Sequence, residues 1–331
     1  MTKAVLAGEV LNTPMVTLYD GDGVLSAYHD ARALLQELKP RVVQLHAWNV
    51  EEAAEAVRRD NQDVQLLAGF GIDGVARAVT RGDATIGSGV SRLRQLAQRA
   101  RRSGFFAVKW NAEAAWKVPP TNVQAARLDE LIVNATSEVQ ADGPGLVQLL
   151  TTYDHPTYHS KFRWRAWARR RGASPSPIAA VYFQVNAAPG GDVRAHRGAL
   201  QAREASSFKS IADAVRVGLL DPDAPVGTPE DTTDVDFLPY YQLHHGNYQD
   251  TVQQALKFPS VALWALRSRS DDDGRRATVA LVAFSRLGLW GPDAINEVQR
   301  RSGLTVDGKY GPLTELALFS QAGISATILA R

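Results

Sequence analysis

The chain contains no cysteine among its 331 residues. This absence excludes disulfide bonds, thiolate nucleophiles and cysteine-ligated zinc sites, and it is compatible with work outside the cell. Long apolar runs are also missing, since no segment approaches the ~18 consecutive apolar residues of a membrane span. The N-terminal segment MTKAVLAGEVL lacks the apolar core and cleavage site of a secretory signal. We therefore expect neither a membrane span nor a signal peptide.

The sequence has little net charge. Its formal charge is +2, with 45% hydrophobic and 22% charged residues, which is the balance of a globular protein. So weak a bias does not indicate a nucleic-acid partner. The glycine-containing segments GDGV and LAGFGIDG do not form a phosphate-binding loop, so we expect no nucleotide and no other cofactor.

Eight short apolar runs alternate with longer helical patterns between residues 14 and 266. Such nearly continuous apolar runs are typical of parallel strands that are covered on both faces. The runs are PMVTLYDGDG, RVVQLHAWN, VQLLAGFGID, FFAVKWNAE, GLVQLLTTYDHP, IAAVYFQVNAAP, DFLPYYQLHH and SVALWALRS.

This alternation predicts an α/β fold, a (β/α)8 TIM-like barrel over residues 1–268, with a doubly wound open sheet as the main alternative. The polar segment RSRSDDDGRR predicts a linker at 269–276. A small all-α domain of three helices is expected over 277–331. In a barrel the carboxyl ends of the strands form the active-site face, and polar residues follow most of the apolar runs.

The C-terminal segment GLWGPDAINEVQRRSGLTVDGKYGPLTELAL, residues 288–318, combines turn and helix signals. Gly303 suits a left-handed helix end, Asp307-Gly308 is a turn dipeptide, and Pro292 and Pro312 suit first helical positions. The segment resembles the three-helix peptidoglycan-binding domain of cell-wall lytic enzymes and phage endolysins. The resemblance implies a module that binds bacterial peptidoglycan, with RRATVALVAFSRLG supplying the first helix.

The segment GFFAVKWNAE, residues 104–113, resembles the fourth-strand motif G-F-D-G-x-D-x-D-x-E of chitinase-like family 18 glycoside hydrolases. Gly104 and Phe105 match the motif, and Glu113 falls on the catalytic acid. Lys109 and Asn111 replace two of its aspartates. The pair Tyr153-Asp154 and the late Trp264 also resemble family residues.

Glycosidic cleavage needs a proton donor and a second group that stabilises the sugar cation or activates water. We expect Glu113 to be the donor, because Trp110 and Trp116 beside it would raise its pKa. Asp154 is the candidate second carboxylate. If a substrate acetamido group supplies the nucleophile instead, Tyr153 or Asn111 would orient it.

A further set of residues from the strand ends is predicted to contact substrate by stacking or hydrogen bonding, with core packing as the competing interpretation for the aromatic members. The set is Trp48, Trp110, Tyr182, Gln184, Tyr241 and Trp264.

Metal catalysis is a weaker alternative, raised by His46, His155, His159 and His244-His245, and the sequence has no H-E-x-x-H motif. We therefore expect no metal. The leading hypothesis is a peptidoglycan hydrolase that reaches the wall through a phage lysis system, a virion or a non-classical secretion route. The alternative is a non-catalytic wall-binding or virion protein built on a degenerate glycosidase barrel.

Overall fold

A computed structural model describes most of the chain. The described residues are 13–19, 23–111, 122–143, 145–153, 178–184, 236–242, 248–257, 260–266, 272–325 and 327–328. The strands are β1 Pro14–Leu18, β2 Val42–His46, β3 Gln65–Gly71, β4 Ala107–Asn111, β5 Val147–Tyr153, β6 Ala180–Gln184, β7 Asp236–Gln242 and β8 Val261–Leu266. The helices are α1 Val24–Leu38, α2 Glu51–Asp60, α3 Asp73–Arg81, α4 Ile86–Arg102, α5 Asn122–Ala141, α6 Tyr248–Ala255, α7 Asp272–Arg286, α8 Ala294–Arg301 and α9 Pro312–Ala322.

Each of the eight predicted apolar runs contains one of these strands, so the predicted α/β class is confirmed. The chain divides into two compact units. Unit 1 consists of Met1–Leu6 and Leu67–Leu238, and unit 2 consists of Ala7–Leu66 and Pro239–Arg331.

Unit 1 contains a parallel sheet in which β3, β4, β5 and β6 pair in chain order. Helices α4 and α5 pack together beside this sheet. Gly89 of α4 permits the close approach, because a Cβ there would lie 2.7 Å from Leu131 and 2.9 Å from Val79. Arg94 of α4 also donates to Asp142 at 2.6 Å, just beyond the end of α5.

In unit 2 the last residues of β7 pair with β8, β8 pairs with β1, and β1 pairs with β2, all in parallel. Both faces of β1 and β2 are buried, as the continuous apolar runs predicted. Helices α1 and α2 are joined by Asp60, which accepts from Arg32 Nε at 2.7 Å and from the Tyr28 hydroxyl.

Three helices lie in the C-terminal region, and the first of them, α7, begins at Asp272, inside the segment predicted as a linker at 269–276. Pro312 begins α9, and Gly303 and Gly323 take left-handed conformations after α8 and α9. Helix α7 packs against α9 and also against β1, β8 and α1. All three helices therefore belong to unit 2 together with its sheet, and a separate C-terminal domain stays a prediction.

Gln299 of α8 organises the loop that leads to α9. Its amide nitrogen donates to Asp307 at 2.7 Å and to Thr314 at 3.2 Å, and its carbonyl accepts from the backbone N–H of Asp307 and Gly308, each at 3.1 Å. Gln299 is 3% exposed. The loop is thus held by a buried side chain whose hydrogen-bonding groups are all used.

No helix in the described part of the chain combines the length and hydropathy that crossing a membrane requires. The described residues also contain no cluster of three histidines or carboxylates arranged to hold a metal ion.

Candidate functional site

Lys109 and Asn111 of β4 lie on one face of the unit 1 sheet, and Trp110 lies on the other, because side chains alternate along a strand. The Trp110 indole N–H donates to Gln148 at 3.2 Å. Gln148 in turn donates to the backbone carbonyl of Thr136 in α5 at 2.7 Å. The Trp110 face is therefore the face that α5 covers, and Lys109 and Asn111 lie on the opposite face.

Asn111, Thr151 and Tyr182 form a row across three neighbouring strands on that opposite face. Asn111 is the register partner of Thr151, and Thr151 is the register partner of Tyr182. Their exposed fractions are 5%, 0% and 0%. We call these three residues the polar row. The structure thus brings together two predicted site residues, Asn111 and Tyr182, with a threonine that the sequence analysis did not single out.

Lys109 lies two residues before Asn111, on the same face of β4, and is completely buried. Its Nζ is 5.6 Å from the centroid of the Tyr182 ring. A cation over an aromatic ring is attracted by the negative face of the ring, and more strongly where water is excluded. Sequence reasoning noted Lys109 only as a departure from a motif, although a lysine inside an apolar run was a usable signal.

In the part of the chain that the structure describes, the face around the polar row has free volume at Gly71 and an unsatisfied hydroxyl. A Cβ added to Gly71, the register partner of Asn111 on β3, would meet no heavy atom of the described residues within 4 Å. Among the described residues, no hydrogen-bond partner meets the buried Thr151 hydroxyl. Buried polar groups are usually paired, and exceptions are often found at functional positions.

The structure gives less information on the other predicted site residues of unit 1. Tyr153 and Gln184 are register partners at the carboxyl ends of β5 and β6. Trp110 is 1% exposed and packs 6.0 Å from Phe70, ring centroid to centroid. This packing does not favour the predicted sugar contact of Trp110. Glu113 and Asp154 lie outside the described residues, and their roles stay predictions.

Unit 2 has its own polar chain, which runs from β1 to the carboxyl end of β2. The Thr17 hydroxyl donates to Gln44 Oε1 at 3.3 Å, and Gln44 Nε2 lies 3.3 Å from His46 Nδ1. Thr17 and Gln44 are register partners and completely buried. The Tyr19 ring meets the His46 imidazole edge-on, at 5.5 Å between centroids. We call this set the Thr17–Gln44–His46 chain.

Of the three predicted substrate-binding aromatics of unit 2, Trp48 follows a strand, whereas Tyr241 and Trp264 lie within β7 and β8. Trp48 comes two residues after β2 and is 40% exposed, which leaves part of its ring accessible. Trp264 is the register partner of Gln242, and Tyr241 is that of Leu263. Of the histidines considered as metal ligands, His46 is described, and His155, His159 and His244-His245 lie outside the described residues.

No protein-family model and no curated protein sequence matches this chain. Among solved structures, it is similar to a GH18 chitinase from Pseudoalteromonas aurantia, with 12% identity over 82% of this chain and 99% of that one and a TM-score of 0.50. It is less similar to the glycoside hydrolase domain of PelA from Pseudomonas aeruginosa, with 12% identity over 76% and 95% of the two chains and a TM-score of 0.45. A D-psicose 3-epimerase from Clostridium cellulolyticum H10 has 8% identity over 83% and 98%, with a TM-score of 0.46.

The similarity to the chitinase indicates a shared fold, and the two weaker similarities support no conclusion. The similarity to the chitinase agrees, at the level of fold, with the sequence resemblance to family 18 barrels. A fold of this class hosts many reactions, so the chemistry has to be argued from the site itself.

Proposed function

We propose that the chain is a glycoside hydrolase whose eight strands close into one (β/α)8 barrel, with its active site at their carboxyl ends. The observation that carries this proposal is the polar row of Asn111, Thr151 and Tyr182, which lies close to the carboxyl end of the unit 1 sheet. The fold similarity to a chitinase supports the barrel. Active sites of such barrels lie at that end of the strands.

The proposed chemistry uses carboxyl groups that follow the strands in sequence. Glu113 comes two residues after Asn111 and protonates the leaving glycosidic oxygen. Asp154 comes directly after Tyr153 and stabilises the sugar cation or activates water. If the substrate carries an acetamido group, that group attacks instead, and Asn111 and Tyr153 orient it.

The proposed substrate is bacterial peptidoglycan. Support comes from the C-terminal segment, whose motif residues have definite structural tasks. Gln299 holds the loop before α9, Gly303 and Gly308 take positive φ, and Pro312 begins α9. Binding to the insoluble wall through this segment would raise the local concentration of glycan at the active site.

The test is a Glu113→Gln variant that is assayed on purified cell walls. We expect release of sugar reducing ends to fall at least ~100-fold, because general acid catalysis contributes on the order of 10²–10⁴-fold. Mass spectrometry of the released muropeptides measures this. Glu52→Gln, which changes an exposed carboxylate on α2, is the matched control and should keep full activity. Normal wall digestion by Glu113→Gln would remove the proposed acid.

A second candidate function is a non-catalytic wall-binding or virion protein on a degenerate barrel. The observation that favours it is Lys109, a fully buried lysine at a position where the family motif carries an aspartate. This alternative predicts that the protein binds purified sacculi and releases neither reducing ends nor free amino groups. The same mass spectrometry therefore separates the two candidates.

A further inference from the structure

The Thr17–Gln44–His46 chain of unit 2 is polar where an apolar core would be more stable. Thr17 and Gln44 are both 0% exposed. Burying an amide and a hydroxyl costs desolvation free energy. Their mutual hydrogen bond compensates this cost and adds little net stability. Leucine and valine at these positions would fill the sheet without that cost. The chain therefore has a purpose other than filling the core, and its hydrogen bonds lead to His46.

The Gln44 amide is oriented with Oε1 accepting from the Thr17 hydroxyl at 3.3 Å and with its nitrogen 3.3 Å from His46 Nδ1. This orientation of the amide indicates which imidazole nitrogen carries the proton. An amide nitrogen can only donate, so Nδ1 accepts and the proton of the neutral ring resides on Nε2. The edge-on contact with Tyr19 restricts the ring orientation further.

The position of His46 is that of a ligand-contacting residue. It is the last residue of β2, at the carboxyl end of the strand, and 9% of its surface is exposed. Trp48 follows two residues later with 40% of its surface exposed. A hydrogen-bond donor combined with an accessible aromatic ring suits the binding of a sugar, whose ring has both polar hydroxyls and an apolar face.

We propose that His46 contacts the glycan as a neutral Nε2–H donor, and that Thr17 and Gln44 are positioning residues that hold it in this tautomer. With Trp48, His46 forms a sugar subsite at the carboxyl end of β2. This inference rests on the proposed glycoside hydrolase function, and it assigns a sugar-binding group within unit 2.

The first test measures the tautomer directly by long-range ¹H–¹⁵N NMR of the imidazole ring in the full chain. We expect the Nε2-protonated neutral form in the parent protein. Gln44→Glu places a carboxylate opposite Nδ1, so that nitrogen should become protonated. Gln148→Glu, an equally buried glutamine in unit 1, is the control and should leave the His46 signals unchanged. A parent ring protonated on Nδ1 would overturn the proposal.

The second test measures ligand contact with a defined probe, the tetrasaccharide of N-acetylglucosamine. We expect the probe to shift the His46 ring signals and quench the Trp48 fluorescence, and His46→Phe to weaken its binding about tenfold. Thr17→Ser keeps the hydroxyl and should bind like the parent, whereas Thr17→Val should bind more weakly. Unchanged His46 signals, or unchanged affinity in His46→Phe, would overturn the subsite.

The two proposals fail in different ways. Wall digestion that is lost in Glu113→Gln but unaffected in His46→Phe and Gln44→Glu would keep the hydrolase and overturn the subsite. Probe binding that depends on His46, in a protein that releases no reducing ends, would support the subsite and contradict the hydrolase.

Discussion

Thr151 and Thr136 show how the same residue type has different consequences at two buried positions. Both are at most 1% exposed. The Thr136 hydroxyl donates to the carbonyl of Ile132 within α5 at 2.7 Å. The Thr151 hydroxyl, among the described residues, has no hydrogen-bond partner. A buried hydroxyl without a partner lowers stability, and such exceptions are often found at functional positions.

We therefore expect Thr151→Val to raise the free energy of unfolding by about 1 kcal/mol, because the change removes an unsatisfied group and keeps the shape. Thr136→Val should lower it by roughly 0.5–1 kcal/mol, because a satisfied hydrogen bond is lost. Urea denaturation of both variants measures the two values. Opposite signs are the expected result, and destabilisation by both variants would contradict the assignment of Thr151 as unsatisfied.

Asp60 joins the helices α1 and α2. Its carboxylate accepts hydrogen bonds from Arg32 and Tyr28, and these bonds lower its pKa from 3.8 to about 2. The same contact changes the tyrosine, since burial and then Asp60 raise the pKa of Tyr28 to about 12. One residue thus couples the first two helices of unit 2 through its charge.

This coupling predicts a pH dependence of stability. A carboxyl group whose pKa is lower in the folded state binds its proton more tightly when unfolded. The stabilisation by Asp60 is therefore complete well above pH 3.8 and disappears as the pH falls towards about 2. Melting temperatures measured across this range should fall less steeply for Asp60→Asn than for the parent. Parallel profiles for the two proteins would show that Asp60 does not contribute.

At the scale of the whole molecule, the C-terminal helices are joined to the rest of unit 2 by a buried polar cluster. The Tyr248 hydroxyl of α6 donates to Glu315 of α9 at 2.7 Å, and Arg276 of α7 lies 3.5 Å from the same carboxylate. Burial, and then this hydrogen bond, raise the pKa of Tyr248. Tyr310 packs between Tyr248 and Phe284.

We expect α9 to unfold together with α7 and β1, because α7 contacts both and a partial opening would expose this cluster. Native-state hydrogen exchange should give similar opening free energies for the amides of Leu318 and Val16. Glu315→Ala should lower both values together. An α9 that opens at much lower free energy than β1 would instead indicate an independent C-terminal domain.

The sequence by itself determined where the elements lie. Apolar runs of strand length, separated by helical periodicity, located the eight strands that the structure describes, and the helix-end signals at Gly303 and Pro312 placed the last helices. These signals act over a few neighbouring residues, so they are readable without the fold. These signals also predicted a substrate site at the strand ends. Two of the predicted residues, Asn111 and Tyr182, lie in one row.

Only the tertiary structure decided which side chains face each other. The order of Lys109, Trp110 and Asn111 divides them between the two faces of β4, but strands buried on both faces have no alternation of polarity, so the order does not tell which face α5 covers. Thr151 beside Asn111, and Gln44 between Thr17 and His46, depend on the register between strands. The packing of α7 on both β1 and α9 likewise joins distant segments. Such long-range pairings come from the packing of the whole core, which no local pattern encodes.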